Sequence, residues 1–118
     1  MDEPLQYEPI IEKLLEKTKL GRVSWQDDGG NTFRCQPGQA IVGDTFYIWK
    51  NDDGYSLRME DERGRVLFSL RAEEEIIYLD EKNRSLFVLL SDLYELARRQ
   101  ALNVTDKLAG VAELLYKI

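Results

Sequence analysis

The spacing of the apolar side chains changes twice along the chain, and this limits the folds that the chain can adopt. Up to Gly21 the apolar residues recur every three or four positions, as on one face of a helix, and they do so again after Ser85. Between Arg22 and about Arg71 they recur at every second position, as in a half-buried strand. The sequence therefore predicts a helix, then a sheet, then helices.

The first predicted helix runs from Pro9 to Gly21. Proline suits the first turn of a helix, and glycine suits the position just past its end. The remaining positions are mostly charged, so we expect one packed face and one wet face. The packed face consists of Ile10, Ile11, Leu14, Leu15 and Thr18.

Short strands joined by turns rich in Asp, Asn and Gly are predicted in the middle of the chain. Turns this short favour antiparallel pairing, because parallel strands need long crossover connections. The third strand has a possible bulge at Gly43–Asp44. The predicted strands are Arg22–Gln26, Thr32–Gln36, Ala40–Trp49, Tyr55–Glu60 and Arg65–Arg71.

Residues 72–83 carry the weakest pattern. Ile76–Leu79 reads as a short edge strand, with a helical turn as the alternative. A long helix then follows to Ala101, with Asn83 or Ser85 as its N-cap. Its apolar stripe predicts the largest share of the core, and it consists of Leu86, Leu89, Leu90, Leu93, Leu96, Ala97 and Ala101.

A last helix is predicted beyond a break at Leu102–Asn103, with Thr105 as its cap. Its stripe consists of Leu108, Val111, Ala112 and Leu115. The predicted fold is one α+β domain of residues 1–118. It has an N-terminal helix, an antiparallel meander of about five strands and two C-terminal helices packed on one face.

Three segments of the sequence resemble a group of small uncharacterised bacterial α+β proteins. They are Lys-Leu-Gly-Arg-Val-Ser-Trp ending at Trp25, Tyr-Ser-Leu-Arg-Met-Glu-Asp-Glu-Arg-Gly ending at Gly64, and Leu-Tyr-Glu-Leu-Ala-Arg-Arg ending at Arg99. The resemblance implies the same helix–meander–helix layout and no activity.

Composition excludes several functional classes. The chain contains no histidine, so it lacks the commonest general acid/base and the commonest transition-metal ligand. Cys35 is the single cysteine, which excludes an intrachain disulfide and a cysteine-rich zinc site. Cys35 is two residues after Phe33 in the same strand, so both should point to the buried face. We therefore expect a buried thiol that does not act as a nucleophile.

Paired acidic residues are the remaining candidates for metal binding or acid–base chemistry. Three of the four clusters fall in predicted hairpin turns, where Asp side chains stabilise the turn through hydrogen bonds to the backbone. We therefore expect no metal site and no cofactor. The four clusters are Asp27–Asp28, Asp52–Asp53, Asp61–Glu62 and Glu73–Glu75.

The face of the sheet turned away from the helices is the most informative feature for function. On this assignment it carries Tyr47 and Trp49 beside five arginines and one acid, although the chain has a net charge of −6. Such residues suit phosphates, bases and protein interfaces alike. The ordinary alternative is a wet sheet face on which arginine stems cover aromatic rings. The five arginines are Arg22, Arg34, Arg58, Arg65 and Arg71.

We therefore expect a non-enzymatic binding or regulatory module that uses this face for protein–protein contacts. The partner is another protein or a second copy of the chain, with a homodimer as one form. Binding of nucleic acid or an anionic ligand on the same face is the alternative, and a carboxylate- or metal-dependent hydrolase is a weaker one. The start of the chain has no secretory pattern and no apolar run reaches membrane length, which favours a cytoplasmic protein without a membrane span. The predicted binding residues are Arg34, Tyr47, Trp49, Arg58 and Leu67.

Overall fold

A computed structural model of the protein describes residues 3–36, 44–74 and 81–118. Eight elements follow one another in these ranges, and the five strands form one sheet whose spatial order is the chain order. They are α1 (Glu3–Lys19), β1 (Gln26–Gly29), β2 (Thr32–Cys35), β3 (Thr45–Lys50), β4 (Gly54–Glu60), β5 (Val66–Glu73), α2 (Glu81–Ala101) and α3 (Val104–Lys117). All four strand pairs are antiparallel.

Helix α1 begins six residues earlier than predicted. Pro9 lies inside it instead of in its first turn. Pro4 occupies the first turn, where a missing N–H costs no intrahelical hydrogen bond. The predicted end is confirmed, because Gly21 adopts a positive φ of 73°. The backbone N–H of Arg22 bonds back to the carbonyl of Lys17, which closes the helix in a Schellman turn.

Strand β1 begins later than predicted, because residues 22–25 bond to a helix instead of to β2. The side-chain amide of Gln100 accepts a hydrogen bond from the backbone N–H of Trp25 and donates one to the carbonyl of Val23. The Trp25 indole donates to Thr18 Oγ1 at 3.0 Å. Gln100 thus replaces a strand partner, and the segment is buried without belonging to the sheet.

The core lies between the sheet and α2, which packs against all five strands. One row of directly opposed residues crosses four strands, and it runs Phe33, Ile48, Leu57, Leu70. The stripe of α2 covers this row with Leu86, Leu90, Leu93, Tyr94 and Ala97, all buried. Helix α1 packs alongside α2 and adds Ile11, Leu14 and Leu15 to the core. Ile10, which was predicted in the packed face, is 38% exposed.

The alternation of the sequence predicts which side chains of the strands face the helices, and this set is correct except at the start and end of the sheet. The set consists of Val23, Trp25, Phe33, Cys35, Phe46, Ile48, Tyr55, Leu57, Met59, Val66, Phe68 and Leu70. Val23 and Trp25 are buried outside the strands, and Val66 is 53% exposed. A register irregularity beside Glu60 pairs that residue with Val66, which changes the phase at the first residue of β5. The predicted strand residues 40–43 and the predicted edge strand Ile76–Leu79 lie outside the described residues.

The predicted caps of the C-terminal helices are wrong. Helix α2 begins at Glu81, so Asn83 and Ser85 lie within it. Asn103, not Thr105, caps α3, and it does so in the left-handed conformation with φ of 52° and no side-chain hydrogen bond. Asparagine tolerates this conformation better than most residues, which lets α3 begin after a two-residue break. The α+β layout itself is confirmed.

Truncation of Leu93, which is fully buried, should destabilise the fold. We expect Leu93→Ala to lower the free energy of unfolding by roughly 2–5 kcal/mol, because the cavity left under the sheet cannot fully close. Val88→Ala on the exposed side of the same helix is the matched control and should change it by no more than about 0.5 kcal/mol. Urea denaturation measures both values, and equal midpoints for the two variants would contradict the assignment of the core stripe.

Candidate partner-binding face

The outer face of the sheet, defined as the side opposite α2, is set by the pleat of β3. Phe46 and Ile48 are buried against the helices. Successive side chains of a strand point to opposite faces, so Tyr47 and Trp49 lie on the outer face. Both rings are partly exposed.

The strand register brings three of the predicted binding residues into one row. Arg34 on β2 is opposite Tyr47 on β3, and Tyr47 is opposite Arg58 on β4. Ser69 on β5 continues the row. Directly opposed side chains on one face are near neighbours, so these residues form a continuous strip across the sheet.

Arg58 joins the two aromatic rings into one cluster, which we call the aromatic–arginine cluster. Its guanidinium carbon lies 5.1 Å from the ring centre of Tyr47 and 5.4 Å from that of Trp49. Both distances are within the range of cation–π attraction. The stack holds the two aromatic side chains and the guanidinium as one semi-rigid surface.

A carboxylate accompanies this guanidinium. Arg58 Nε is 2.9 Å from Glu60 Oε2, although the N–H is not directed so as to form a hydrogen bond. The Glu60 side chain is less exposed than that of Arg58. The charge of the cluster is therefore largely compensated within the sheet.

The other arginines of the outer face are also paired, with carboxylates in β1, in the β3–β4 turn and at the end of β5. Arg34 Nε is 3.0 Å from Asp28, and Arg71 Nη2 is 2.9 Å from Asp53 and 3.4 Å from Glu73. These pairs were missed because each turn carboxylate was assigned to its own backbone. The outer face is consequently nearer to neutral than its arginine content indicates.

Two of the five predicted outer-face arginines do not belong to the strands. Arg22 lies in the loop before β1, because Gln100 of α2 hydrogen-bonds residues 23 and 25 and keeps this segment out of the sheet. Arg65 lies in the turn before β5 and is 2.7 Å from Asp61. The prediction of a five-arginine face is therefore wrong, and three remain.

Leu67 extends the outer face to the edge of the sheet. It is on β5, the last strand in the sheet order, and is 51% exposed. The register irregularity at Glu60 places it beyond the row that contains Arg58. The five predicted binding residues thus lie on one face, but Leu67 is separate from the aromatic–arginine cluster.

Small polar side chains lie beneath these groups and were not predicted as part of the site. Asn51 Nδ2 donates to Ser56 Oγ at 2.8 Å, and Gln36 Nε2 donates to Thr45 Oγ1 at 3.2 Å. Ser56 and Thr45 are buried, so these bonds satisfy polar groups that water does not reach. These two hydrogen bonds hold the Ser56 and Thr45 side chains in place on the outer face.

Two of the predicted turn carboxylates bind backbone N–H groups, although Asp27 and Asp28 lie in β1 and not in the predicted turn. Asp27 Oδ1 accepts the N–H of Gly29 at 2.9 Å. Asp61 accepts the backbone N–H groups of Arg65 and Arg63, and these bonds hold the pKa of the Asp61 carboxyl below its usual range. Among the residues that the structure describes, no three metal-ligating side chains converge.

Cys35 is buried at the end of β2. Burial disfavours the thiolate and raises the pKa of the thiol to about 12. The prediction of a buried side chain is confirmed. A neutral, enclosed thiol has little nucleophilic reactivity at ordinary pH.

No family model, curated protein or solved structure matches this chain. Its likeness to small bacterial proteins therefore stays a prediction beyond the α+β layout. Within the described ranges, no helix has the length and apolar character needed to cross a bilayer.

The thiol of Cys35 should not react with thiol reagents in the native protein. At pH 8 we expect almost no labelling by a chromogenic disulfide reagent, because a pKa of about 12 leaves the thiol protonated and burial blocks access. Unfolding in guanidinium should restore reaction of one thiol per chain. Rapid native labelling, with the secondary structure retained, would contradict the placement of Cys35 in the core.

Proposed function

We propose that this chain is a non-catalytic binding module whose outer face contacts a protein partner, either a different protein or a second copy of the chain. The aromatic–arginine cluster is the observation that carries the proposal. Tyr, Trp and Arg are the residues most enriched among those that dominate binding energy at protein interfaces. Here the three are stacked together on an accessible face.

The compensation of charge supports a protein partner over a polyanion. A phosphate approaching Arg34, Arg58 or Arg71 would meet Asp28, Glu60 or Asp53 within ion-pair distance of the same guanidinium. Binding of nucleic acid depends on unpaired cations that release counterions. A protein surface can instead cover the rings without displacing these carboxylates.

The geometry also limits the loss of conformational entropy on binding. Arg58 is already held over both rings, so less side-chain freedom is lost when a partner covers it. Arg34 and Leu67 lie to either side of the cluster and supply charge and apolar area at its rim. The expected footprint therefore centres on Tyr47, Arg58 and Trp49.

The double change Tyr47→Ser with Trp49→Ser tests this proposal. We expect the variant to remain folded, because the buried face of β3 is unchanged, and to lose most of its binding to the protein partner. Binding is measured by quantitative mass spectrometry of proteins retained on the immobilised wild-type chain and on the variant, with sedimentation for self-association. Ile10→Ser, an exposed apolar change on α1, is the matched control and should retain binding.

Two results would contradict the proposal. Unfolding of the double variant would show that the rings stabilise the core. Tight binding of wild-type protein to a fluorescent oligonucleotide, weakened steeply by salt and by Arg34→Gln with Arg58→Gln, would favour the nucleic-acid alternative.

A further inference from the structure

Glu60 is the most shielded of the carboxylates that compensate the arginines of the outer face. Its side chain is 18% exposed, against 32–40% for the other three, which are Asp28, Asp53 and Glu73. Water and salt screen a pair of charges less as the pair becomes less exposed. Glu60 therefore opposes the charge of Arg58 more effectively than the other carboxylates oppose the charges of their arginines.

The strand register places Glu60 at one end of the aromatic–arginine cluster. Glu60 follows Arg58 by two residues on β4, so both side chains lie on the outer face. Glu60 and Trp49 belong to rows on opposite sides of the row that pairs Tyr47 with Arg58. Arg58 Nε is 2.9 Å from the Glu60 carboxylate, and its guanidinium carbon is 5.4 Å from the ring centre of Trp49. The guanidinium that a ligand would meet at the rings is thus the one that Glu60 neutralises.

Charge, and not a hydrogen bond, joins Glu60 to Arg58. Among the described residues, Arg58 Nε is a buried donor without a hydrogen-bond partner, although the carboxylate oxygen is close to it. An electrostatic contact of this kind can be removed by one change of charge without the loss of a hydrogen bond. Glu60→Gln keeps the shape of the side chain, so it should remove the compensation and leave the strand pairing of β4 in place.

An anionic group that approaches Arg58 meets the Glu60 carboxylate. A phosphate or carboxylate bound to this guanidinium would lie beside a second negative charge that is already partly removed from water. Like charges placed together at an interface are unfavourable, and their repulsion grows as water is excluded. An uncharged or basic group over the same rings meets no such repulsion.

We propose that Glu60 determines which ligands the outer face accepts, because it neutralises Arg58. The partner surface is uncharged or basic where it covers the rings, and partners that present phosphate or carboxylate groups there are rejected. This assignment rests on the proposed function, since it specifies the partner of the same face. Without the charge of Glu60, the guanidinium beside Tyr47 and Trp49 becomes an anion-binding group.

A fluorescent oligonucleotide is the anionic probe that tests this role, because its phosphates bind uncompensated cations. We expect Glu60→Gln to bind the probe about fivefold or more tightly than the wild-type chain in fluorescence anisotropy at low salt. Glu113→Gln on α3 is the matched control. It changes the net charge equally and frees Lys117 from an exposed ion pair, so it should change the affinity by less than about twofold. Equal affinities for the two variants, whether both bind the probe or neither does, would overturn the proposal.

The gain in affinity must act through Arg58. In a chain that already carries Arg58→Gln, the addition of Glu60→Gln should tighten binding no more than Glu113→Gln does. Glu60→Gln alone should also steepen the dependence of log Kd on log salt by about one phosphate contact, which a change in fold stability would not produce. A gain that persists without Arg58 would show that Glu60 acts only through net charge, and would overturn the proposal.

Urea denaturation shows whether the variants are folded. We expect Glu60→Gln to have nearly the same midpoint as Glu113→Gln, because no hydrogen bond between Glu60 and Arg58 is lost. Glu60→Ala removes the same charge without introducing an amide and should show the same gain in probe binding. Unfolding of both Glu60 variants would show that this carboxylate holds the fold, and would overturn its role in selection.

The Glu60 proposal and the outer-face proposal fail in different ways. Loss of partner binding in the Tyr47→Ser, Trp49→Ser variant, with no gain of probe binding in Glu60→Gln, would leave the interface in place and remove the role of Glu60. A gain of probe binding through Arg58, with partner binding unaffected in the double variant, would contradict the interface and leave Glu60 as the residue that excludes anions. Tight binding of the probe by the wild-type chain would contradict both.

Discussion

Ile48 on β3 and Leu57 on β4 are opposite each other, and both are fully buried beneath α2. This pair sets the phase of β3 and β4, because a slip of one residue would move every side chain of a strand to the other face. With Ile48 inward, Tyr47 and Trp49 must face outward, and with Leu57 inward, Arg58 must face outward beside them. The aromatic–arginine cluster is thus a consequence of how the core packs.

The outer face combines aromatic area with compensated charge. Two carboxylates compensate the arginines of neighbouring strands: Asp28 near the end of β1 pairs with Arg34, and Asp53 in the β3–β4 turn pairs with Arg71. Ion pairs of this exposure contribute little to stability. Their effect is to lower the net charge of the face, which favours a protein surface over a polyanion as the partner of the proposed site.

The sequence predicted the helices and strands because the spacing of the apolar residues depends directly on local structure. It placed Phe46 and Ile48 inward and Tyr47 and Trp49 outward, and it identified the stripe of α2 that contains Leu93. It did not predict features that depend on residues far apart in the chain. The two hydrogen bonds of Gln100 to residues 23 and 25 join positions more than 70 apart, so no local pattern contains them.

Local exceptions to the period were missed for a related reason. The change of phase at Val66 and the left-handed cap at Asn103 are irregularities of the backbone at single residues. The spacing of apolar residues along a strand or helix does not reveal such a local change. The pairing of Arg34 with Asp28 follows from the β1–β2 hairpin once its register is known. The candidate residues were therefore identifiable from sequence, but their charge balance was not.

The central claim is that the outer face carrying Trp49 is open in the free chain, and fluorine NMR tests this most directly. With 5-fluorotryptophan at both tryptophans, Trp49→Phe assigns the two signals. In dilute protein we expect the Trp49 signal to shift between H₂O and D₂O because that side chain is partly exposed, and the Trp25 signal to stay fixed because Trp25 is buried. A Trp49 signal as insensitive to solvent as that of Trp25 would show that this face is already covered, and would contradict the account.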